Sequence, residues 1–161
     1  MTINTHRFGP VQIPADKVIY MERPILGFEH LTTFCLIERE DMAPMMWLQS
    51  MEDPAVAFLV VNPRCMFPEY RVEVNPNEIA ELRVAKVESV ETYVIMTLAD
   101  DPQQTSVNLQ GPVLINTENN LAKQLVLVNS DYSVRHFLFA EATVERNTEQ
   151  RAERRHKMAT V

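Results

Sequence analysis

The apolar residues of this chain arrive in short runs rich in Val, Ile, Phe and Tyr, and turn residues break each run before a helical face can build. That pattern predicts an all-β sandwich or barrel and argues against alternating strand and helix units. Strands are expected near Val11–Ile13, Val18–Met21, Phe34–Glu38, Met46–Gln49, Ala57–Val61, Tyr70–Val74, Glu91–Leu98, Ser106–Leu109, Val113–Asn116 and Lys123–Val128. Within Tyr70–Val74 apolar and charged residues alternate, so one face should be buried and the other wet. Ala57–Val61 is apolar throughout, which suits a central strand or a barrel stave packed inside and roofed by a loop outside. The clearest hairpin is Val113–Asn116 with Leu121–Val128, because the asparagines between them tolerate the positive φ of a tight turn. One short helix is expected at Pro76–Arg83: Asn75 can cap it, Pro76 suits its first position, and Ile79 with Leu82 forms a small apolar face.

A length of 161 residues at 46% hydrophobic composition fits one domain. Charges or prolines interrupt every apolar run well short of the roughly 18 residues that a membrane span requires, so no membrane association is expected. The amino terminus lacks a basic region followed by an apolar segment, and a cytoplasmic location is the expectation. Cys35 and Cys65 each sit in an apolar stretch and read as small buried hydrophobes rather than as a disulfide. The net charge of −7 repels nucleic acid and attracts basic partners, so no direct nucleic-acid binding is expected. That charge is unevenly placed: residues 1–145 carry −10 and residues 146–161 carry +3. The composition shift near Val144 suggests a body of residues 1–144 and a polar, basic tail of residues 145–161, flexible or loosely helical in isolation.

Chemistry is sparse. The three glycines, Gly9, Gly27 and Gly111, are too far apart to form a phosphate-binding loop. The four histidines are scattered and neither cysteine belongs to a CxxC pair, so no metal and no cofactor is expected. Ser130, Asp131 and His136 bring a hydroxyl, a carboxylate and an imidazole into one short segment, the groups of a hydrolytic triad. A small hydrolase or ligand-binding protein using them is the alternative function. The segment also reads as an ordinary Asx or Ser turn, and that reading is preferred. The acidic pairs Glu40-Asp41, Glu52-Asp53 and Asp100-Asp101 lie in loop-like stretches and read as solvated turns rather than as general acid/base groups. Trp47 and Leu48 read as core, whereas Met42 and Met45 beside Pro44 are candidates for exposure.

Several motifs in one order carry a resemblance. Leu26-Gly27-Phe28-Glu29, Trp47 to Pro54 leading into Ala57-Phe58, Asn62-Pro63, and Phe67-Pro68-Glu69-Tyr70 are followed by Val107-Asn108-Leu109, Gly111-Pro112-Val113, Ile115-Asn116-Thr117, Lys123-Gln124 and Asn129 to His136. Together they resemble the FliW family of flagellar assembly factors over roughly residues 8–138. Two departures stand out: Met21 to Ile25 lacks the family's Glu-Gly-Leu-Pro type turn, and Ser133 occupies a position where the family usually has proline. The resemblance implies a single small β-barrel-like, non-enzymatic domain. It also implies two alternative partners, flagellin through its C-terminal region and the RNA-binding translational repressor CsrA. Flagellin would hold the protein until export, after which the freed protein would bind CsrA and relieve repression of flagellin synthesis. For partner binding, Phe67, Glu69 and Tyr70 are the first candidates, an aromatic pair beside an acid on a proline-held loop. Asp131, Tyr132, Arg135 and His136 come second.

Overall fold

A computed structural model describes residues 1–128 and 130–139 and, for the backbone alone, residues 159–160. The strands are β1 (Thr2–Thr5), β2 (Gly9–Gln12), β3 (Ile19–Arg23), β4 (Thr33–Glu38), β5 (Met46–Ser50), β6 (Ala57–Val61), β7 (Glu73–Val74), β8 (Val90–Thr97), β9 (Ser106–Val107), β10 (Val113–Asn116), β11 (Leu121–Gln124), β12 (His136–Phe137) and β13 (Ala159–Thr160). One short helix, α1, spans Pro76–Ala80. The meander β3-β4-β5-β6 continues to β8, β8 also pairs with β10, and β10 and β11 return to β3, so seven strands close into a barrel. All these contacts are antiparallel except the β11–β3 seam, which is parallel and carries a register shift at Ala122/Lys123. β9 and β12 extend the sheet from β8, and β1–β2 forms a separate hairpin. No helix among the described residues is long and apolar enough to cross a membrane.

Side chains alternate across each strand, and here both sides are used. Every barrel strand contributes to one interior cluster, which includes Met21, Phe34, Leu48, Val60, Tyr93, Ile115 and Ala122. Their neighbours Trp47, Leu59, Val61, Val94 and Leu114 face the other way. They join Tyr70, Val72, Val74, Leu82, Leu125, Leu127 and Tyr132 in a second core outside the barrel wall. β6 is therefore the expected stave, with Val60 inside and Leu59 and Val61 beneath a roof. A third, smaller cluster puts Cys35 of β4 under Ile3, Ile13 and Val18 of the amino-terminal segment. Each fully buried Val, Leu or Phe contributes about 1.5–3 kcal/mol relative to exposure, so the outer core is a large part of the stability.

The expected hairpin is β10–β11, with Asn116 opposite Leu121 and Asn120 at φ 61°. Its turn is tied to the end of α1: Asn116, fully buried, donates to the Leu82 carbonyl at 2.9 Å and accepts from the Glu118 N–H at 3.1 Å. The helix starts as expected. Asn75 accepts from the Asn77 N–H, Glu78 reaches back to the Asn75 N–H, and Pro76 takes the first position. It ends earlier than the expected Arg83, which adopts φ 53° and so leaves the helical path. Lys123, buried on β11, donates to the Glu78 carbonyl and lies 4.0 Å from Glu81, which also receives Arg23 of β3 at 2.9 Å.

Several strand expectations change. Tyr70–Val74 alternates in burial as expected, yet among the described residues only Glu73–Val74 pairs as a strand, and its partner is β13. The expected strand Lys123–Val128 begins at Leu121 and stops at Gln124, after which the chain leaves the barrel to roof it. Thr2–Thr5 was not expected as a strand; its residues face a hairpin partner with only Ile3 and Thr5 buried. Cys65 is exposed, against the expectation that both cysteines are buried, because it closes a short 3-10 turn after Pro63 at the surface. Of the expected tail, residues 145–161, all but Ala159 and Thr160 lie outside the described residues.

Glu52 clamps two loops. One of its carboxylate oxygens accepts from the backbone N–H and the hydroxyl of both Thr32 and Thr33, at 2.7–2.9 Å. These bonds, the Thr32 N–H foremost, favour the ionised form and hold the carboxyl at about 2, below its ordinary 4.5. A depressed carboxyl stabilises the fold above its unfolded value and loses that contribution as the pH falls through the folded one.

Three outcomes are expected. In urea titrations, Asn116→Ala should cost about 2 kcal/mol, because it strands the buried Leu82 and Arg83 carbonyls that the amide serves. Glu52→Gln should be less stable than the parent at neutral pH by under about 1 kcal/mol, since the group is exposed. That difference should close between pH 4.5 and about 2. A thiol reagent at pH 8 should label Cys65 in the native protein but Cys35 only on unfolding, because burial pushes the Cys35 thiol up to about 11.

Candidate functional site

The two segments that sequence reading singled out, far apart along the chain, meet in space. Asn62 caps the turn that follows it by accepting from the Arg64 N–H at 3.0 Å, and Pro63 fits the first position of that turn. The loop then closes on itself, with the Phe67 N–H donating to the Pro63 carbonyl and the Tyr70 N–H to the Phe67 carbonyl. Arg64 Nε donates to the Tyr70 carbonyl at 3.2 Å. From the other segment, the Tyr132 hydroxyl accepts from the Arg71 N–H at 3.1 Å, and its ring lies 4.6 Å from that of Tyr70. The Phe67 ring meets His136 edge-on at 5.0 Å. Tyr70 in turn donates to the Leu109 carbonyl at 2.8 Å, and the Leu109 N–H donates to the Ser133 carbonyl at 3.0 Å.

This junction divides the candidate residues by role. Tyr70 is 0% exposed, and Tyr132 and His136 are buried with it, so these three are core and framework positions rather than exposed anchors. The physical reason is the alternation along Tyr70–Val74: Tyr70 falls on the same inward face as Val72 and Val74. Phe67 and Asp131 are half-buried at the margin. Glu69 and Arg135 are exposed, Arg135 with its guanidinium 5.4 Å from the centre of the Phe137 ring. Beside them along the chain, Pro68, Arg71 and Val134 are also exposed, Val134 at 56%, and none of the three is among the binding candidates read from sequence. An exposed valine next to a cation has no signature in the one-dimensional pattern. Only the burial of Tyr132 and His136 on either side of it shows which way the segment turns.

The enzyme-like cluster behaves as a turn. Ser130 Oγ donates to the Leu127 carbonyl at 3.1 Å and accepts from the Tyr132 N–H at 3.3 Å. A hydroxyl has one proton to give, and here it goes to a backbone carbonyl. The acidic pairs follow suit. Asp53 accepts from the Ala55 N–H, Asp101 from the Gln103 N–H, and Glu52 forms the loop clamp described above. Among the described residues, no group of three or more His, Cys, Asp or Glu is placed to hold a metal ion.

What the molecule offers is a closed barrel whose covering loops carry exposed charges and apolar edges. Known proteins resemble it in sequence and fold. Residues 2–138 match the family model described as FliW protein. The flagellar assembly factor FliW of Thermoanaerobacter pseudethanolicus is 38% identical over 143 residues, which cover 88% of this chain and 95% of that protein. The flagellar assembly factor FliW of Geobacillus kaustophilus is 36% identical over 141 residues, covering 88% and 97%. A crystal structure of the flagellar assembly factor FliW superposes with a TM-score of 0.80 at 34% identity, covering 86% of this chain and 97% of that one. A shared barrel at that level of identity, spanning nearly the whole of each relative, places this chain in the FliW family.

Proposed function

We propose that this FliW-family chain serves flagellar assembly as a cytoplasmic, non-catalytic binding protein that alternates between two partners. One is flagellin, held through its C-terminal region; the other is the translational repressor CsrA, bound when flagellin has been exported. The observation that carries the reading is family membership over residues 2–138 with relatives that are flagellar assembly factors. Physical features support it. A body carrying −10 over residues 1–145 favours a basic, RNA-binding partner. Because a repressor's grip on RNA is largely electrostatic, an acidic domain docked beside the RNA site weakens it without covering it. The junction of loops 62–72 and 130–137 presents Glu69 and Arg135 on a framework already fixed by Tyr70 and Tyr132, so little ordering cost falls on binding.

A partner switch requires affinities within a comparable range, since each tenfold gap corresponds to about 1.4 kcal/mol and a large gap freezes one complex. Isothermal titration of the full chain with each partner, repeated with the other as competitor, should give saturable binding to both and mutual exclusion. Simultaneous binding without mutual weakening would sink the switch, and binding to flagellin alone would leave a chaperone. Within that scheme Glu69→Lys should weaken CsrA binding about tenfold, the scale of one charge reversal at an interface, with thermal stability unchanged. An unaltered affinity removes this loop from the interface.

A further inference from the structure

Part of the barrel's outer wall is left open. Between the β1–β2 turn, the Arg39–Met42 segment and the end of β8 lies a groove of about 940 Å³ floored by Trp47, Leu59 and Met96 and bordered by Met42 and Leu98. Leu98 is 58% exposed. Over this floor runs a ladder of cations and rings. The Arg7 guanidinium sits 3.8 Å from the centre of the Trp47 ring, Trp47 meets Phe8 edge-on at 6.3 Å, and Arg39 lies 5.4 Å from the Phe8 ring.

Neither Arg7 nor Arg39 has a salt-bridge partner within 4.0 Å among the described residues, and aromatic faces hold them instead. Stacking fixes a guanidinium while leaving its edge donors open, which is the preorganised state that a bidentate carboxylate needs. Asp41 is the one carboxylate lining the groove, against two guanidiniums.

We propose that this groove is a docking site for a protein segment that combines bulky apolar side chains with at least two carboxylates. The apolar groups pack against the accessible lining side chains Met42, Ile95 and Leu98, and the carboxylates meet Arg7 and Arg39. Two separate guanidiniums favour a polypeptide over a single-headed fatty acid. The chain's own residues 146–161, at +3, have the wrong sign to be the occupant. The proposal goes beyond the partner-switch reading and does not depend on it.

Trp47 is the only tryptophan of the chain and forms the floor of the groove, so its fluorescence reports occupancy directly. The full chain would be titrated with the peptide acetyl-Glu-Leu-Phe-Glu-Asp-Leu-Leu-Glu-amide, with its Gln/Asn counterpart, with its Lys counterpart and with dodecanoate. The acidic peptide should bind saturably and about tenfold tighter than the Gln/Asn peptide, as expected for charge-assisted pairs. The Lys peptide should not bind. The double variant Arg7→Gln, Arg39→Gln should erase the advantage, whereas Arg23→Gln, at an exposed ion pair elsewhere, should preserve it. Equal binding of all three peptides, or dodecanoate binding as tightly as the acidic peptide, overturns the proposal. So does a rise in acidic-peptide affinity of about tenfold on removal of residues 145–161, which would make the tail the native occupant. Amide chemical shifts mapped with the acidic peptide should fall on residues 7–8, 39–42 and 96–98, and shifts confined elsewhere overturn it equally.

Discussion

The fold rests on strand β8 being long enough to pair along both of its edges. Val94–Met96 bond to β6 and Val90–Tyr93 bond to β10, so one strand joins the meander to the hairpin and closes the sheet. Closure removes open edges from the barrel wall, and with them the backbone groups that would otherwise invite another chain. Once the wall is closed, its interior is a small fixed volume filled by one or two side chains from each strand. The outward residues then need cover of their own, because Leu59, Val61, Val94 and Leu114 are as apolar as those inside. The long excursions at 62–84 and 125–132 exist to supply that cover.

That demand explains why the loops are stiff. Tyr70, Leu82 and Tyr132 are buried parts of a core, not decoration on a surface. A loop that buries several apolar groups and satisfies its own backbone through Arg64, Asn116 and the Tyr132 hydroxyl stays in one conformation. The charges it carries outward, Glu69 and Arg135, thereby gain fixed positions. The wall over Trp47 is covered differently, by the Arg7 guanidinium stacked on its ring rather than by a long loop.

Much of this was legible from residue order. Burial alternates through Tyr70–Val74 as the sequence pattern says, and the β10–β11 turn uses the positive φ at Asn120 that asparagine permits. The capped start of α1 was readable at Asn75 and Pro76. What the pattern could not separate was burial from ladder pairing. Tyr70 and Val72 face inward but lie outside the strands of the described residues, because a roof segment and a strand share the same period of two. It could not place Lys123 either, since a lysine inside a strand looks solvent-facing until Glu78 and Glu81 are brought beside it from α1. Nor could it decide whether Tyr70, Tyr132 and His136 serve a core or a partner, because aromatic and polar residues at a turn do either as readily.

The parallel seam between β3 and β11 joins residues about one hundred positions apart, Tyr20 beside Leu121 and Met21 beside Ala122. A ribosome delivers the chain from its amino end, so the meander β3 to β6 emerges with no partner for the outer edge of β3. That edge stays open until β11 has left the tunnel. Loop-closure entropy makes such a distant contact slow to find. For this protein the hazardous interval is therefore during its own synthesis, when an unpaired β3 edge and an unfilled barrel interior are exposed together.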